Sequence, residues 1–137
     1  MMITKSMLYA AGLKHGVNPH LVVGLAWHES GWQPSVVSSA SAVGIMQVMP
    51  STAAADGPAL LNRDVNLYVP GDNIDMGTAI LKNNLNRYNN DLAKALTAYC
   101  AGGAAVTDWG NLMADCRRYV WAVYNAAMMF KDGKGPV

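Results

Sequence analysis

The segment from Asn18 to Gly31 constrains this chain more than any other. Asn18 followed by Pro19 is a helix cap with proline at the first helical position, and Gly31 is a helix stop. Between them run Leu21, Val22, Val23, Gly24, Leu25, Ala26 and Trp27, then His28, Glu29 and Ser30. A helix apolar nearly all round is buried on every side, so other elements must be built around it. The rest of the sequence supplies helices for that purpose. A first helix is predicted over Thr4 to Lys14, stopped by Gly16. Trp32 to Val43 is rich in Ser and Pro and reads as a loop. Pro50, Ser51 and Thr52 open a short helix, and Gly57 to Gly71 reads as irregular. Asp72 is expected to cap a long helix with Ile74, Gly77, Leu81, Leu85 and Tyr88 on one face. Asp91 starts another through Ala95, Leu96, Ala98 and Tyr99, closed by Gly102-Gly103. Asp115 begins the last, with Tyr119, Val120, Val123, Tyr124, Ala127 and Met128 as its apolar stripe, and the tail from Lys131 is expected to fray. No alternating strand pattern competes, so the fold class is all-α, and 137 residues suit one domain.

Several functions are excluded. No apolar run approaches the roughly 20 residues that span a bilayer. Ten basic residues face nine acidic ones, net +1, without a basic cluster beyond Arg117-Arg118, which argues against nucleic acid as a partner. Lys5 precedes a short apolar stretch, but Lys14, His15 and Gly16 interrupt it too early for a signal peptide. His28-Glu29 begins like the zinc motif H-E-x-x-H, yet position 32 is Trp32, so no metal site is expected, and no cofactor. A serine-hydrolase elbow and a phosphate-cradling glycine loop are both missing from the pattern. Cys100 has no neighbouring His to activate it. Cys100 and Cys116 make no framework, and whether they pair as a disulfide stays open.

Glu29 stands out. Of the nine acidic residues eight are Asp, and Glu29 is the single Glu. A helix-end glutamate ordinarily faces solvent. This one lies on the most apolar helix, flanked by Trp27 and Trp32, where loss of solvent should push its carboxyl up towards neutrality. An acid still protonated near neutral pH suits protonation of a glycosidic oxygen.

Four short segments now fall into register: Glu29-Ser30; Gly44-Ile45-Met46-Gln47 with Met49-Pro50 and Thr52-Ala53; Asn73-Ile74 with Gly77; and Ala98-Tyr99 with Ala101-Gly102. In that order and spacing they resemble the soluble lytic transglycosylase (SLT) catalytic domain, a lysozyme-like helical fold of goose type, over residues 19–109. The resemblance implies cleavage of the β-1,4 bond between N-acetylmuramic acid and N-acetylglucosamine in peptidoglycan, with 1,6-anhydromuramic ends. It makes Glu29 the sole general acid/base and needs no second carboxylate. Ser30 matches a serine beside the acid and the substrate. Gly44 matches a glycine that lets backbone approach the sugar, and Gln47 a glutamine lining the cleft. Tyr99 matches a tyrosine whose hydroxyl reaches the carboxylate. Met46 lies in the motif as a substrate-binding candidate, although a methionine there more often packs. The family pattern Ala-Tyr-Asn-Ala-Gly departs here, with Cys100 in place of Asn, which puts a sugar contact in doubt. Trp32, Trp109 and Tyr68 are lesser candidates for stacking on sugars, since most aromatics in a small helical domain are core.

The resemblance also implies a monomer acting on glycan strands of the bacterial wall, in the periplasm or outside the cell. Delivery would fall to a holin, a virion or a secretion machinery, as for a phage lysis enzyme. Two alternatives share the fold: a goose-type muramidase that hydrolyses the same bond, and a non-catalytic wall-binding part of a virion or secretion complex.

Overall fold

The computed structural model describes residues 4–106 and 114–137. These residues form six α-helices: α1 Thr4–His15, α2 Pro19–Ser30, α3 Pro50–Asp56, α4 Pro70–Arg87, α5 Leu92–Ala101 and α6 Ala114–Lys131. A π-helical turn, Gly57–Leu61, continues α3, and a 3-10 turn, Gly103–Ala105, follows α5. The loop between α2 and α3 carries two isolated β-bridges, Val37–Val43 and Val43–Val48. Among the described residues no helix is long and apolar enough to cross a membrane.

The second helix is the centre, as its all-round apolarity requires. Asn18 Oδ1 accepts from the His20 N–H at 3.0 Å, satisfying one orphan donor of the first turn. Six consecutive residues, Leu21 to Ala26, are buried, so over that stretch no face of the helix is left to water. Each of its fully buried Leu and Val side chains contributes about 1.5–3 kcal/mol of burial free energy. At the far end Gly31 turns left-handed at φ 61° and its N–H bonds the Trp27 carbonyl. The last helix lies directly against this one. A Cβ on Gly24 would meet the Ala127 nitrogen at 2.5 Å, so only glycine permits the approach. Gly24 meets Ala127, while Glu29, further along α2, meets Tyr119, further back along α6. The two helices therefore run antiparallel, and this packing brings α6 across the end of α2.

The first and fourth helices are joined by charge. Asp75 on α4 accepts from Lys14 Nζ at 2.9 Å, His15 Nε2 at 2.6 Å and Arg63 Nη2 at 2.9 Å. Burial alone would raise the Asp75 carboxyl, but the bonds from His15, Lys14 and Arg63 outweigh it and hold the group at about 2.

Four details differ from the sequence reading. The segment from Gly57 to Gly71, expected to be irregular, opens with the π-helical turn Gly57–Leu61. The fourth helix begins at Pro70, so Asp72 lies within its first turn instead of capping it, where it accepts from the Asn66 N–H at 2.8 Å and pairs with Arg63. Pro70 and Gly71 read as turn residues, yet proline also suits a first helical position. Tyr124 stands exposed, because the buried face of α6 runs through Tyr119, Val120, Val123 and Phe130. The tail does not fray at Lys131. Lys134 N–H bonds the Met129 carbonyl and Gly133 N–H the Phe130 carbonyl, a Schellman closure with Gly133 at φ 76°.

Candidate active site

The site is organised by one tight loop. Val43 and Val48 exchange backbone hydrogen bonds at 3.0 and 3.1 Å around Gly44-Ile45-Met46-Gln47. Gly44 at φ 77° and Gln47 at φ 51° take the left-handed conformations that close so short a turn. Ile45 and Met46 at its tip are completely buried. Such a loop leaves its backbone polar groups without ladder partners, and buried ones must be satisfied elsewhere. Three side chains do this from three helices. Ser30 Oγ at the end of α2 donates to the Ile45 carbonyl at 2.7 Å. Asn73 on α4 donates through Nδ2 to the Val43 carbonyl at 2.8 Å and the Leu67 carbonyl at 3.0 Å, and accepts from the Met46 N–H at 2.9 Å. Tyr99 on α5 donates its hydroxyl to the Met46 carbonyl at 2.7 Å. The four motif segments therefore meet at this loop.

That arrangement corrects several expected roles. Tyr99 does not bond the Glu29 carboxyl. The hydroxyl that does is that of Tyr119 on α6, 2.6 Å from Glu29 Oε2. Ser30 is spent on backbone: besides Ile45 it reaches the Ala26 carbonyl at 3.4 Å and accepts from Gln33 N–H at 3.2 Å. Gly44 is required by Asn73, whose Nδ2 would lie 2.5 Å from a Cβ there. The Met46 side chain packs under α4, where a Cβ on Gly77 would come within 2.6 Å of its Cβ and Sδ, so it is core and not a sugar contact. Trp32 is core as well, edge-on to Trp27 and tilted against Phe130, with its Nε1–H on the Val23 carbonyl at 3.1 Å. Trp109 lies outside the described residues. Tyr68 is exposed beside a shallow concavity with Val43, Pro50, Ala53 and Leu67.

Gln47 does line a cleft. A cavity of about 400 Å³ is walled by Gln47, Thr52, Asn84, Tyr99, Cys100 and Gly102 among others. Gln47 Nε2 donates to the Val36 and Gly44 carbonyls, both at 3.0 Å, which fixes its amide at the rim of the tight loop. Tyr99 and Cys100 are close enough to Glu29 for its charge to disfavour their ionisation.

The electrostatics of Glu29 follow from its place between α2 and α6. Desolvation raises its carboxyl to about 7, with the hydrogen bond from Tyr119 acting in the opposite sense. Burial, then the Glu29 charge, pushes Tyr119 well above its ordinary value, so the phenol stays protonated and serves as a donor. His28 packs edge-on to the Tyr119 ring at 5.1 Å, and burial lowers its pKa. Among the described residues no cluster of three His, Cys, Asp or Glu offers a metal site.

The sequence reading gave Tyr119 to the core stripe of α6. A buried aromatic at helical spacing looks the same whether its hydroxyl meets backbone or a catalytic group. The available signal was steric: Gly24 on α2 and Ala126-Ala127 on α6 are the small residues of a close crossing, and Tyr119 follows from that register.

Comparisons with known proteins agree with this geometry. The family model of the transglycosylase SLT domain matches residues 6–121. The transglycosylase of Enterobacteria phage PRD1 is 36% identical over 128 residues, 93% of this chain and 44% of that protein. Membrane-bound lytic murein transglycosylase C of Actinobacillus pleuropneumoniae is 39% identical over 105 residues, 68% of this chain and 29% of that protein. The chain thus spans less than half the length of these relatives. The lytic transglycosylase Slt of Pseudomonas aeruginosa, solved as an inactive mutant, superposes with a TM-score of 0.84 at 23% identity, over 93% of this chain and 24% of that one. The 70 kDa soluble lytic transglycosylase of Escherichia coli gives 0.81 at 25% identity, over 94% and 24%. These superpositions show a shared fold, lysozyme-like and helical.

Proposed function

The chain belongs to the transglycosylase SLT domain family, and from that premise we propose that it is a peptidoglycan lytic transglycosylase with Glu29 as its single general acid/base. The observation that carries this is the carboxyl of the chain's one glutamate, held at about 7, bonded by Tyr119 and near enough for its charge to act on Tyr99 and Cys100 in the cavity wall. A group titrating there is half protonated at neutral pH, which serves an acid that must later act as a base.

Oε2 of Glu29 is engaged by the Tyr119 hydroxyl, and Oε1 carries the exchanging proton. Glu29 gives that proton to the oxygen between N-acetylmuramic acid and N-acetylglucosamine, and the C1–O bond breaks. The Tyr119 donor stabilises the carboxylate so formed. The substrate's own N-acetyl group stabilises the cationic sugar, so no second carboxylate is required. Glu29 then removes the proton of the muramic C6 hydroxyl as that oxygen closes on C1, giving a 1,6-anhydro end and regenerating the acid. Gln47, its Nε2 held by the Val36 and Gly44 carbonyls, has its amide oxygen left to accept from the glycan, while Ser30, Asn73 and Tyr99 hold the loop that carries it. The working place is the bacterial wall, with glycan strands as the partner.

The test compares wild type with Glu29→Gln on purified peptidoglycan. The variant keeps the Tyr119 partner and the volume, so it should sediment with wall as wild type does and clear none of it. Clearing by the variant at the wild-type rate contradicts the assignment.

A further inference from the structure

Cys100 and Cys116 are the two cysteines of the chain. They are sixteen residues apart in sequence and stand on different helices, α5 and α6, yet their sulfurs lie 2.7 Å apart. That is within easy reach of the ~2.05 Å of a bonded pair, and no third cysteine competes. Cys116 is buried, whereas Cys100 forms part of the cavity wall and is open to a reagent from that side. Neither sulfur takes part in the acid chemistry of Glu29. Cys100 directly follows Tyr99, which holds the loop, and Cys116 lies about one helical turn before Tyr119, which holds Glu29.

We propose that Cys100 and Cys116 are a disulfide site, closed by oxidation in the compartment where the wall is cut, and that the bond ties α5 to α6 beside the acid. The compartment rests on the function proposed above; the bond itself rests on the facing sulfurs. The oxidant is a disulfide carrier, a protein or a small molecule. The Cys100 thiol loses its proton and attacks one sulfur of the carrier, expelling the other as a thiolate. Cys116 then loses its proton and attacks Cys100 Sγ, expelling the carrier's remaining sulfur. The chain gives up two protons and two electrons, and the carrier's disulfide becomes two thiols. Burial, helped by Cys116, pushes the Cys100 thiol up to about 12, so its thiolate is scarce at neutral pH and uncatalysed exchange is slow. The pair therefore stays reduced where thiols prevail and closes where a carrier is supplied.

The test uses the full chain, reduced, then incubated with oxidised glutathione and a catalytic disulfide oxidoreductase. Intact mass should fall by two hydrogens, with no cysteine left to alkylate after denaturation. The thermal midpoint should rise by roughly 5–10 °C, the order expected for closing a loop of this length, and a reductant should reverse it. Cys116→Ser should instead gain one glutathione on Cys100 and show no such rise. Wild type that stays fully alkylatable, ends as glutathione adducts, or closes without a gain in midpoint overturns the proposal. Mass and melting are read without any wall present, so a failed lysis assay does not bear on them.

Discussion

Replacing Glu29 by Gln should make the protein more stable at alkaline pH while leaving it unchanged in acid. The reasoning is linkage. Glu29 titrates at about 7 in the folded chain against an ordinary value of 4.5. Below about pH 4.5 the group is protonated in both states and costs nothing. Between 4.5 and 7 the folded state holds the proton more tightly than the unfolded state, so stability falls as pH rises. Above 7 the full penalty is in place. The difference of about 2.5 units, at 1.36 kcal/mol each, comes to roughly 3 kcal/mol of folding free energy withheld by the charge. Glutamine has the same shape, keeps an oxygen for Tyr119 and carries no charge, so it avoids that penalty. Thermal unfolding of both proteins at pH 4.5 and pH 8 measures the effect. Their midpoints should agree closely at pH 4.5 and differ at pH 8 by roughly 6–12 °C in favour of the variant. Identical midpoints at both pH values would show that the Glu29 carboxyl is not desolvated, and the basis of its acid role would go with it.

Tyr119→Phe removes the bond that draws the Glu29 carboxyl down, so the pH above which lysis declines should move upward. The turnover rate should fall roughly 3–10-fold, the worth of one hydrogen bond, as read from a pH–rate profile on purified wall. Asn73→Ala takes its hydrogen bonds from the buried Leu67 carbonyl and Met46 N–H and leaves the Val43 carbonyl with the Val48 N–H alone. It should cost roughly 2–4 kcal/mol in urea unfolding and depress lysis with Glu29 intact.

How much of this was legible in the sequence depends on whether a signal was local. Asn18-Pro19, Gly31, Asp91 and Gly102 act on their own helix ends, and the structure places caps or stops at each of them. Asp72 misled because its side chain serves the Asn66 N–H, six residues back, and Arg63, contacts that helix-start rules do not see. The motif residues were found, but several of their jobs were not. The resemblance matched Ser30 to a group beside acid and substrate and Tyr99 to a partner of the carboxylate, and it gave Asn73 a place in a motif without a role. In the fold they bind the backbone of a loop that cannot satisfy itself. Which tyrosine meets Glu29 is decided by the crossing of α2 and α6, a long-range fact whose trace in the sequence is a pair of small-residue sites far apart in the chain, Gly24 and Ala126-Ala127. Cys100 shows the same limit: spacing left its pairing open, and only the packing of α5 on α6 puts it against Cys116.

In the mechanism proposed above, Glu29 alone cuts the glycan and the sugar's own hydroxyl completes the reaction. Mass spectrometry of the muropeptides released from purified peptidoglycan, wild type beside Glu29→Gln, tests it most directly. The expected products are one water lighter than hydrolysis would give and carry anhydro ends, and the variant releases none. Reducing ends from the wild type would instead mark a muramidase, and no release by either protein, with wall binding intact, would mark a fold kept only for binding.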